Sequence, residues 1–179
     1  MIKSIRILFV FLGFLGLVSN SFAADVTMRI SIQLPMKSHL GQNLLLFKND
    51  VEKKSNGEIE VQIYDSAQLY KDKEVPAAVG SGSIESGVAS LTRYVGDIPA
   101  VDLFYQPFLL NSEEKVRKAV AKGSSIRGPI DKAIEGTGST VLWWQAYGSA
   151  IMLSKGKAIK NPSDMKGKKV RVFGKTLGA

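Results

Sequence analysis

Apolar residues occupy alternate positions over residues 26–32 and again over 59–63, which is the period of half-buried β-strands. Between these stretches, apolar residues recur at steps of four, three and four and therefore share one face of a helix: Leu40, Leu44, Phe47 and Val51. Ser38 is placed to cap the start of this helix, and Asn56-Gly57 is placed to end it. The pattern predicts a strand–helix–strand unit of the size of a parallel crossover.

Predicted strands and helices continue to alternate through the rest of the chain. Helical patterns, each followed by a glycine, cover 72–79, 113–122 and 126–135. Short strands are predicted over 84–90, 141–144, 151–153 and 168–173, and a helical turn over 161–167. This alternation is typical of an α/β fold with a largely parallel sheet. Because the sequence stops soon after a predicted strand, we expect it to be a fragment of a longer protein.

The first 23 residues have the layout of an export signal. Lys3 and Arg6 form a basic start before an apolar run over 7–18, and Ser21 and Ala23 supply the small residues of a signal-peptidase site. The apolar run is shorter than the ~20 residues that cross a bilayer, which disfavours the alternative of an uncleaved anchor. The pattern therefore predicts a cleaved signal peptide and a periplasmic mature protein.

The sequence of 179 residues contains 24 basic and 16 acidic residues, a formal charge of +8. Removing the two basic residues of the predicted signal leaves +6, an excess that suits an anionic ligand, a membrane surface or nucleic acid. The acidic residues are spread along the chain without a run of like charges, which argues against nucleic acid. There is no cysteine, so disulfides, cysteine–zinc sites and thiol nucleophiles are excluded in this sequence.

No catalytic constellation can be assembled from the sequence. His39 is the only histidine, which excludes a two-histidine metal site, and its place at a helix start favours a solvent-facing residue over a general base. Ser83 and Ser86 lie outside a Gly-x-Ser-x-Gly pattern. Gly80-x-Gly82 follows a helix and lacks a third glycine, unlike a dinucleotide fingerprint. We therefore expect a protein that is not an enzyme and has no metal site and no cofactor.

Arg171 is the residue that chemistry singles out for binding. It lies in a predicted strand between Val170 and Val172, and an arginine near a strand end can present its planar fork to a carboxylate. Each such charge-assisted hydrogen bond contributes about 1.5–3 kcal/mol, a large share of the about 8 kcal/mol of a micromolar affinity. The alternation also allows Arg171 to lie on the solvent face with Lys169, and the residues alone slightly favour that placement.

Five segments of the mature chain form a set, at 28–35, 54–59, 66–74, 102–109 and 162–172, the last reading Pro-Ser-Asp-Met-Lys-Gly-Lys-Lys-Val-Arg-Val. In this order they resemble the extracytoplasmic solute-binding subunits of TRAP transporters, the DctP-type family. The resemblance implies a periplasmic-binding-protein-like two-lobed clamp. Residues 24–145 would form its first lobe, and 146–179 the cross-over and a truncated start of the second.

The resemblance also implies a ligand site in the cleft between the lobes. A small organic acid is bound there and is not chemically changed. Arg171 matches the carboxylate anchor of the family. Ile151 and Gly174 stand where some members have polar ligand contacts, which implies a less polar pocket and favours a monocarboxylate over a sugar acid. Other cleft positions are matched by Gln33, Ser90, Thr92, Arg93 and Tyr147.

Several alternatives stay open beside this interpretation. Ser90 can instead cap the following turn, Arg93 can be a plain surface residue, and Trp143 and Trp144 are expected to pack in the core. The implied partners are a carboxylate ligand and the integral-membrane permease of a TRAP transporter, with no nucleic acid. The rival functions are a binding protein of another importer or sensor system, an exported hydrolase that uses His39, and a structural envelope protein.

Overall fold

A computed structural model describes residues 24–174 and residue 177. The predicted signal peptide, residues 1–23, lies outside the described residues. Three strands are present in this part of the chain, β1 (Val26–Ser31), β2 (Ile59–Tyr64) and β3 (Ser86–Gly87). The helices are α1 (His39–Lys54), α2 (Val75–Gly80), α3 (Glu113–Val120) and α4 (Arg127–Glu135). Short 3₁₀ helices cover Leu91–Tyr94, Pro99–Tyr105 and Pro162–Met165.

The first unit is the predicted β1–α1–β2 crossover. The strands lie in the order β2-β1-β3, all parallel, and β1 and β2 pair from Val26 opposite Ile59 to Ser31 opposite Tyr64. Every second residue of β1 and β2 is apolar and faces α1, so a core forms between the helix and the sheet. Its buried residues are Ile30, Ile32, Leu40, Leu44 and Val61. The α/β fold with a parallel sheet is therefore confirmed.

Both ends of α1 follow from local chemistry. Ser38 has an extended backbone, and its hydroxyl accepts a hydrogen bond from the Gly41 backbone N–H at 3.1 Å. This hydrogen bond satisfies one of the free donors of the first turn. At the other end, Asn56 and Gly57 have φ values of 51° and 86°, the left-handed conformation that terminates helices. The helix boundaries predicted from the sequence are confirmed.

A second core lies after β3, in the part of the chain that consists of helices and loops. Its buried residues are Ile98, Val101, Ile130 and Ile134. Phe104 and Trp144 are half-buried against them, so the Pro99–Tyr105 turn, α4 and the segment after α4 pack together. None of the helices within the described residues is long and apolar enough to cross a membrane.

Two predicted elements before residue 91 are shorter in the structure. The helix predicted over 72–79 begins only at Val75, because Asp72 turns its side chain into the protein, where it is 6% exposed. The strand predicted over 84–90 pairs only at Ser86–Gly87, opposite Ile30 and Ser31. After Gly87 the chain leaves the edge of β1, since β1 itself ends at Ser31. The helix predicted over 113–122 also ends early, at Val120.

The predicted strands over 141–144, 151–153 and 168–173 are wrong for the described structure, in which none of these segments joins a sheet. A strand needs a neighbour for its backbone N–H and C=O groups, and the described sheet has only three strands. Ile151 and Leu153 are 76% and 86% exposed. The predicted turn near Asn161 is present as Pro162–Met165, where Asp164 accepts hydrogen bonds from the amides of Lys160 and Asn161.

Candidate ligand-binding site

The loops that follow β1 and β3 meet at one edge of the sheet. The two strands are parallel neighbours, so their carboxyl ends point the same way, which is where ligands bind in open α/β sheets. Gln33 follows β1 and Ser90 follows β3. The Gln33 amide nitrogen donates a hydrogen bond to the Ser90 hydroxyl at 3.3 Å. The structure thus brings together two of the residues predicted for the site.

Asp72 lies beneath this pair and binds two parts of the loop after β3. Its Oδ1 accepts a hydrogen bond from the Ser90 backbone N–H at 2.9 Å, and its Oδ2 accepts one from Arg93 Nε at 2.5 Å. The carboxylate side chain is 6% exposed and the Arg93 side chain 30%. Arg93 is therefore an exposed residue whose side chain is held in an ion pair with a buried carboxylate.

The turn that carries Asp72 is fixed to the end of β1. The buried hydroxyl of Ser31 accepts a hydrogen bond from the Tyr70 backbone N–H and donates one to the Tyr70 carbonyl, each at 3.1 Å. One side chain thereby satisfies both polar groups of a turn residue. Asp72 follows Tyr70 by two positions, so its place under the Ser90 loop depends on the last residue of β1.

Thr92 occupies a more enclosed position than the other predicted site residues. It is 8% exposed, and its backbone N–H donates to the Tyr105 hydroxyl at 3.3 Å. Burial of the Tyr105 phenol raises the pKa of that group. The buried Thr92 hydroxyl makes no hydrogen bond within the described residues. A β-carbon added at Gly174 would lie 3.9 Å from Thr92 Cγ2, so the segment after Arg171 passes beside Thr92.

Tyr147 ends the segment over 143–147, which runs along α1. Its ring meets the His39 ring edge-on at a centroid distance of 6.3 Å. One turn further along α1, Asn43 Nδ2 donates to Gln145 Oε1 at 2.7 Å. A further turn on, Phe47 packs on Trp143 with ring centroids 5.0 Å apart. Three residues spaced by four along α1 thus contact every second residue of the segment over 143–147, which runs antiparallel to the helix.

Trp144 faces away from α1 and packs on the second core. Its indole Nε1 donates to Asp131 Oδ1 at 2.7 Å, and its ring lies 5.2 Å from that of Phe104. Trp144 is half-buried, as expected of a core residue, whereas Trp143 is 37% exposed. Alternate residues of the segment over 143–147 therefore contact different elements, so this segment has the period of a strand although it joins no sheet.

Arg171, the predicted anchor, is not hydrogen-bonded to the cluster of Gln33, Ser90, Asp72 and Arg93. It is exposed, and its guanidinium carbon lies 4.4 Å from the centroid of the Phe173 ring. No hydrogen bond or ion pair joins Arg171 to Gln33, Ser90 or Arg93. Four of the predicted residues therefore lie on the loops after β1 and β3, while Tyr147 and Arg171 lie in the segment over 143–147 and beyond it.

Asp72 is the residue of this cluster that the sequence did not reveal. It stands in the charged stretch Lys71-Asp72-Lys73-Glu74, which reads as the exposed start of a helix. His39, the histidine considered for a hydrolase, is exposed, and its Nε2 lies 3.4 Å from the Ala146 carbonyl oxygen. No hydrogen bond joins it to a serine within residues 24–174. The same range brings no three histidine or carboxylate side chains together as a metal site.

The fold of the sheet and its loops is similar to part of two solved periplasmic solute-binding proteins. The fold matches a TRAP periplasmic solute binding protein from Chromohalobacter salexigens with bound D-glucuronate, at a TM-score of 0.74 and 22% identity, over 81% of this chain and 48% of that one. It also matches a TRAP periplasmic solute binding protein from Sulfurospirillum deleyianum with bound succinate, at a TM-score of 0.58 and 20% identity, over 64% of this chain and 36% of that one.

The family of bacterial extracellular solute-binding proteins, family 7 (DctP), matches residues 30–178, and the chain belongs to this family. It is 30% identical over 155 residues to a solute-binding protein of Verminephrobacter eiseniae, covering 84% of this chain and 44% of the relative. It is 28% identical over 162 residues to the C4-dicarboxylate-binding periplasmic protein of Rhodobacter capsulatus, covering 88% and 47%. The chain thus spans less than half the length of these curated relatives.

These comparisons confirm the resemblance to TRAP solute-binding subunits and the fold class that it implied. The family consists of extracytoplasmic binding proteins, not of enzymes. The domain boundaries at 23 and 145 and the ligand contacts of the individual residues remain predictions.

Proposed function

We propose that this chain forms the first lobe and the beginning of the second lobe of a receptor that binds a small organic acid for a TRAP-type permease. The observation that carries the proposal is the cluster of Gln33, Ser90, Asp72 and Arg93 at the carboxyl edge of the parallel sheet. The cluster offers amide, hydroxyl and guanidinium donors, which are the groups that bind carboxylates and hydroxyls. Membership of family 7 supports the same class of ligand.

The mechanism requires a second surface that closes over this cluster. In the proposed receptor, Arg171 and Tyr147 reach the ligand from the cross-over side when the two lobes close about their hinge. Closure excludes water from the ion pair between Arg171 and the carboxylate, which strengthens its hydrogen bonds. The closed receptor then docks on the permease. No bond of the ligand is made or broken in this scheme.

The proposed location is the periplasm, after removal of residues 1–23. The basic start, the short apolar run and the small residues at Ser21 and Ala23 support this part of the proposal. The mass of the protein purified from a periplasmic extract tests it. A mature protein that begins at Ala24 is expected, and a protein that keeps Met1 in the membrane fraction would contradict it.

The test of binding uses the product of the complete reading frame that contains this sequence. Calorimetric titration with a carboxylate panel identifies a ligand, and Arg171→Ala then removes the proposed fork. Loss of two charge-assisted bonds of at least about 1.5 kcal/mol each predicts affinity at least about 100-fold weaker. Arg171→Lys keeps the charge but not the bidentate geometry, so we expect it to be at least about tenfold weaker.

Lys169→Ala is the matched control, because Lys169 is an exposed basic residue two positions away. It should leave affinity within about twofold, since an exposed charge contributes little. Circular dichroism and thermal unfolding of each variant establish that the fold is intact. Near-native affinity in both Arg171 variants would contradict the anchor assignment, and a wild type that binds no acid would contradict the proposed function itself.

A further inference from the structure

We infer that Asp72 is a positioning residue of the ligand site, which acts by holding the Arg93 guanidinium and the Ser90 backbone in the geometry that receives the ligand. The inference rests on the proposed function, because it assigns roles within the same site. It makes Arg93 a second cationic contact for an anionic or hydroxylated ligand, beside the anchor proposed at Arg171.

Both oxygens of the Asp72 carboxylate are used, and for different purposes. Oδ1 accepts from the Ser90 N–H at 2.9 Å, which fixes the backbone of the loop, and Oδ2 accepts from Arg93 Nε at 2.5 Å, which fixes a side chain. Two contacts from one planar group leave the loop little freedom to rotate about either bond. The carboxylate therefore sets the relation between the Ser90 backbone and the Arg93 guanidinium.

The Arg93 side chain keeps most of its hydrogen-bonding capacity. A guanidinium has five N–H donors, and Nε is the one that donates within the described residues. The four N–H groups on the two terminal nitrogens are left for a ligand or for water. With Nε engaged, the plane of the group is set, which is the pre-organisation that bidentate binding of a carboxylate needs.

The difference in exposure between the two partners also favours a role in binding. Asp72 is 6% exposed, whereas the Arg93 side chain is 30% exposed, so the anion is buried and the cation reaches solvent. Burying a charge has a desolvation cost that a single ion pair offsets poorly, so such a pair is weak evidence of a purely stabilising role. An anion placed beneath a partly exposed arginine instead orients it.

Asp72 is also connected, through Ser90, to the loop after β1 that carries Gln33. The Ser90 residue that it holds through the backbone accepts a hydrogen bond from Gln33 through its side chain, at 3.3 Å. A shift of the carboxylate would therefore disturb Arg93 directly and Gln33 through Ser90. Loss of Asp72 should weaken binding without removing any group that touches the ligand.

The test is a double-mutant cycle on the complete reading-frame product, titrated with succinate, D-glucuronate and pyroglutamate as probes. Asp72→Asn keeps the shape and an acceptor for Ser90 but loses the charge that holds Arg93. Arg93→Gln removes the guanidinium. We expect each to weaken the tightest-binding probe at least tenfold. Since Asp72 acts through Arg93, the double variant should bind no more than about twofold more weakly than Arg93→Gln alone.

Glu85→Gln is the control, because Glu85 also pairs with an arginine, Arg29, but on another part of the sheet. It should lower stability and leave the dissociation constants within about twofold. If Asp72 were only structural, Asp72→Asn would likewise lower the unfolding free energy and spare affinity, or would weaken affinity by the same factor with and without Arg93. Either result overturns the inference.

The remaining outcomes separate this inference from the proposed function. If Asp72→Asn fails to fold, Arg93→Gln decides alone, and its affinity within twofold of the wild type overturns the inference. Affinity that is lost in Arg171→Ala but kept in Arg93→Gln contradicts only the inference. A wild type that binds neither these probes nor any other acid of the carboxylate panel contradicts the proposed function and the inference with it.

Discussion

One carboxylate, Asp131, links an arginine and a tryptophan beside the second core, and its removal should lower stability substantially. Asp131 Oδ2 accepts from Arg127 Nε at 2.9 Å, and Oδ1 accepts from Trp144 Nε1 at 2.7 Å. The Arg127 guanidinium also lies over the Trp144 ring, with 5.5 Å between its carbon and the ring centroid. Asp131→Ala therefore removes an ionic partner and an indole acceptor in one step.

The size of the loss follows from burial. Removing one partner of a fully buried ion pair costs about 3–5 kcal/mol, and the side chains of Arg127 and Asp131 are 11% and 22% exposed. Water can reach the pair to that extent, and Arg127 keeps a hydrogen bond to the Val120 carbonyl at 3.0 Å. The expected loss is therefore about 3 kcal/mol, at the lower end of the range. Asp131→Asn retains an acceptor for Trp144, so about 1–2 kcal/mol is expected.

Urea unfolding followed by tryptophan fluorescence measures these losses, because Trp144 itself reports on the site. The control is Glu113→Gln, which breaks an ion pair with Arg117 whose side chains are both 77% exposed. An exposed pair of this kind contributes about 0.5 kcal/mol or less. A loss below about 1 kcal/mol for Asp131→Ala, with an unchanged denaturant slope, would refute the reasoning that the buried pair needs both members.

Two further predictions concern the first core. Hydrogen bonding from Arg29 lowers the pKa of Glu85 from 4.5 to about 2, so its contribution of about 1 kcal/mol, reduced by partial exposure, is present above pH 4.5 and lost toward pH 2. The stability difference between wild type and Glu85→Gln in urea titrations should shrink across that window, and a constant difference would contradict the ion pair. Gly41→Ala should destabilise by about 2 kcal/mol, because its β-carbon would lie 2.6 Å from the Met36 carbonyl oxygen. In the control Gly128→Ala the nearest atom is 4.0 Å away, so a gain of up to about 1 kcal/mol is expected, and equal signs for the two variants would refute the packing argument.

The β1–α1–β2 unit was predictable because its determinants are close in sequence. Alternation over 26–32 and 59–63 fixed both strands, and Ser38 and Asn56-Gly57 fixed the ends of the helix between them. Each signal acts within a few residues, through a cap, a left-handed turn or a repeating apolar face. The tight contact of Gly41 with the Met36 backbone was not predictable, since it depends on how the preceding loop folds back on the helix.

The segment over 141–144 shows why the later predictions were wrong. Period-two alternation reports that successive side chains face opposite surroundings, and this is true of Trp143, which packs on Phe47, and Trp144, which packs on Phe104. The alternation does not report whether the backbone has a neighbouring strand. Here two helical elements provide the two surroundings, so a correct pattern led to the wrong secondary structure.

The residues of the candidate site also differ in whether the sequence could predict them. The loops after β1 and β3 had to meet once the strands were parallel neighbours, so Gln33 and Ser90 were accessible to prediction. Asp72 was not, because its burial depends on three contacts made by residues distant in sequence. The Ser31 hydroxyl fixes its turn, and Ser90 and Arg93 supply its two donors. A charged residue in a charged stretch gives no sign of such partners.

The contacts of α1 connect the loop after β1, which carries Gln33, with the segment over 143–147. The helix begins six residues after Gln33, and its first residue, His39, lies against Tyr147. Asn43 and Phe47 extend this contact toward Trp143. The loop that carries Gln33 therefore leads into the end of α1 that contacts Tyr147, and the Ser38 cap fixes the start of that helix. Two residues predicted for one site, 114 positions apart in the sequence, are related in space by α1, although no hydrogen bond joins them within the described residues.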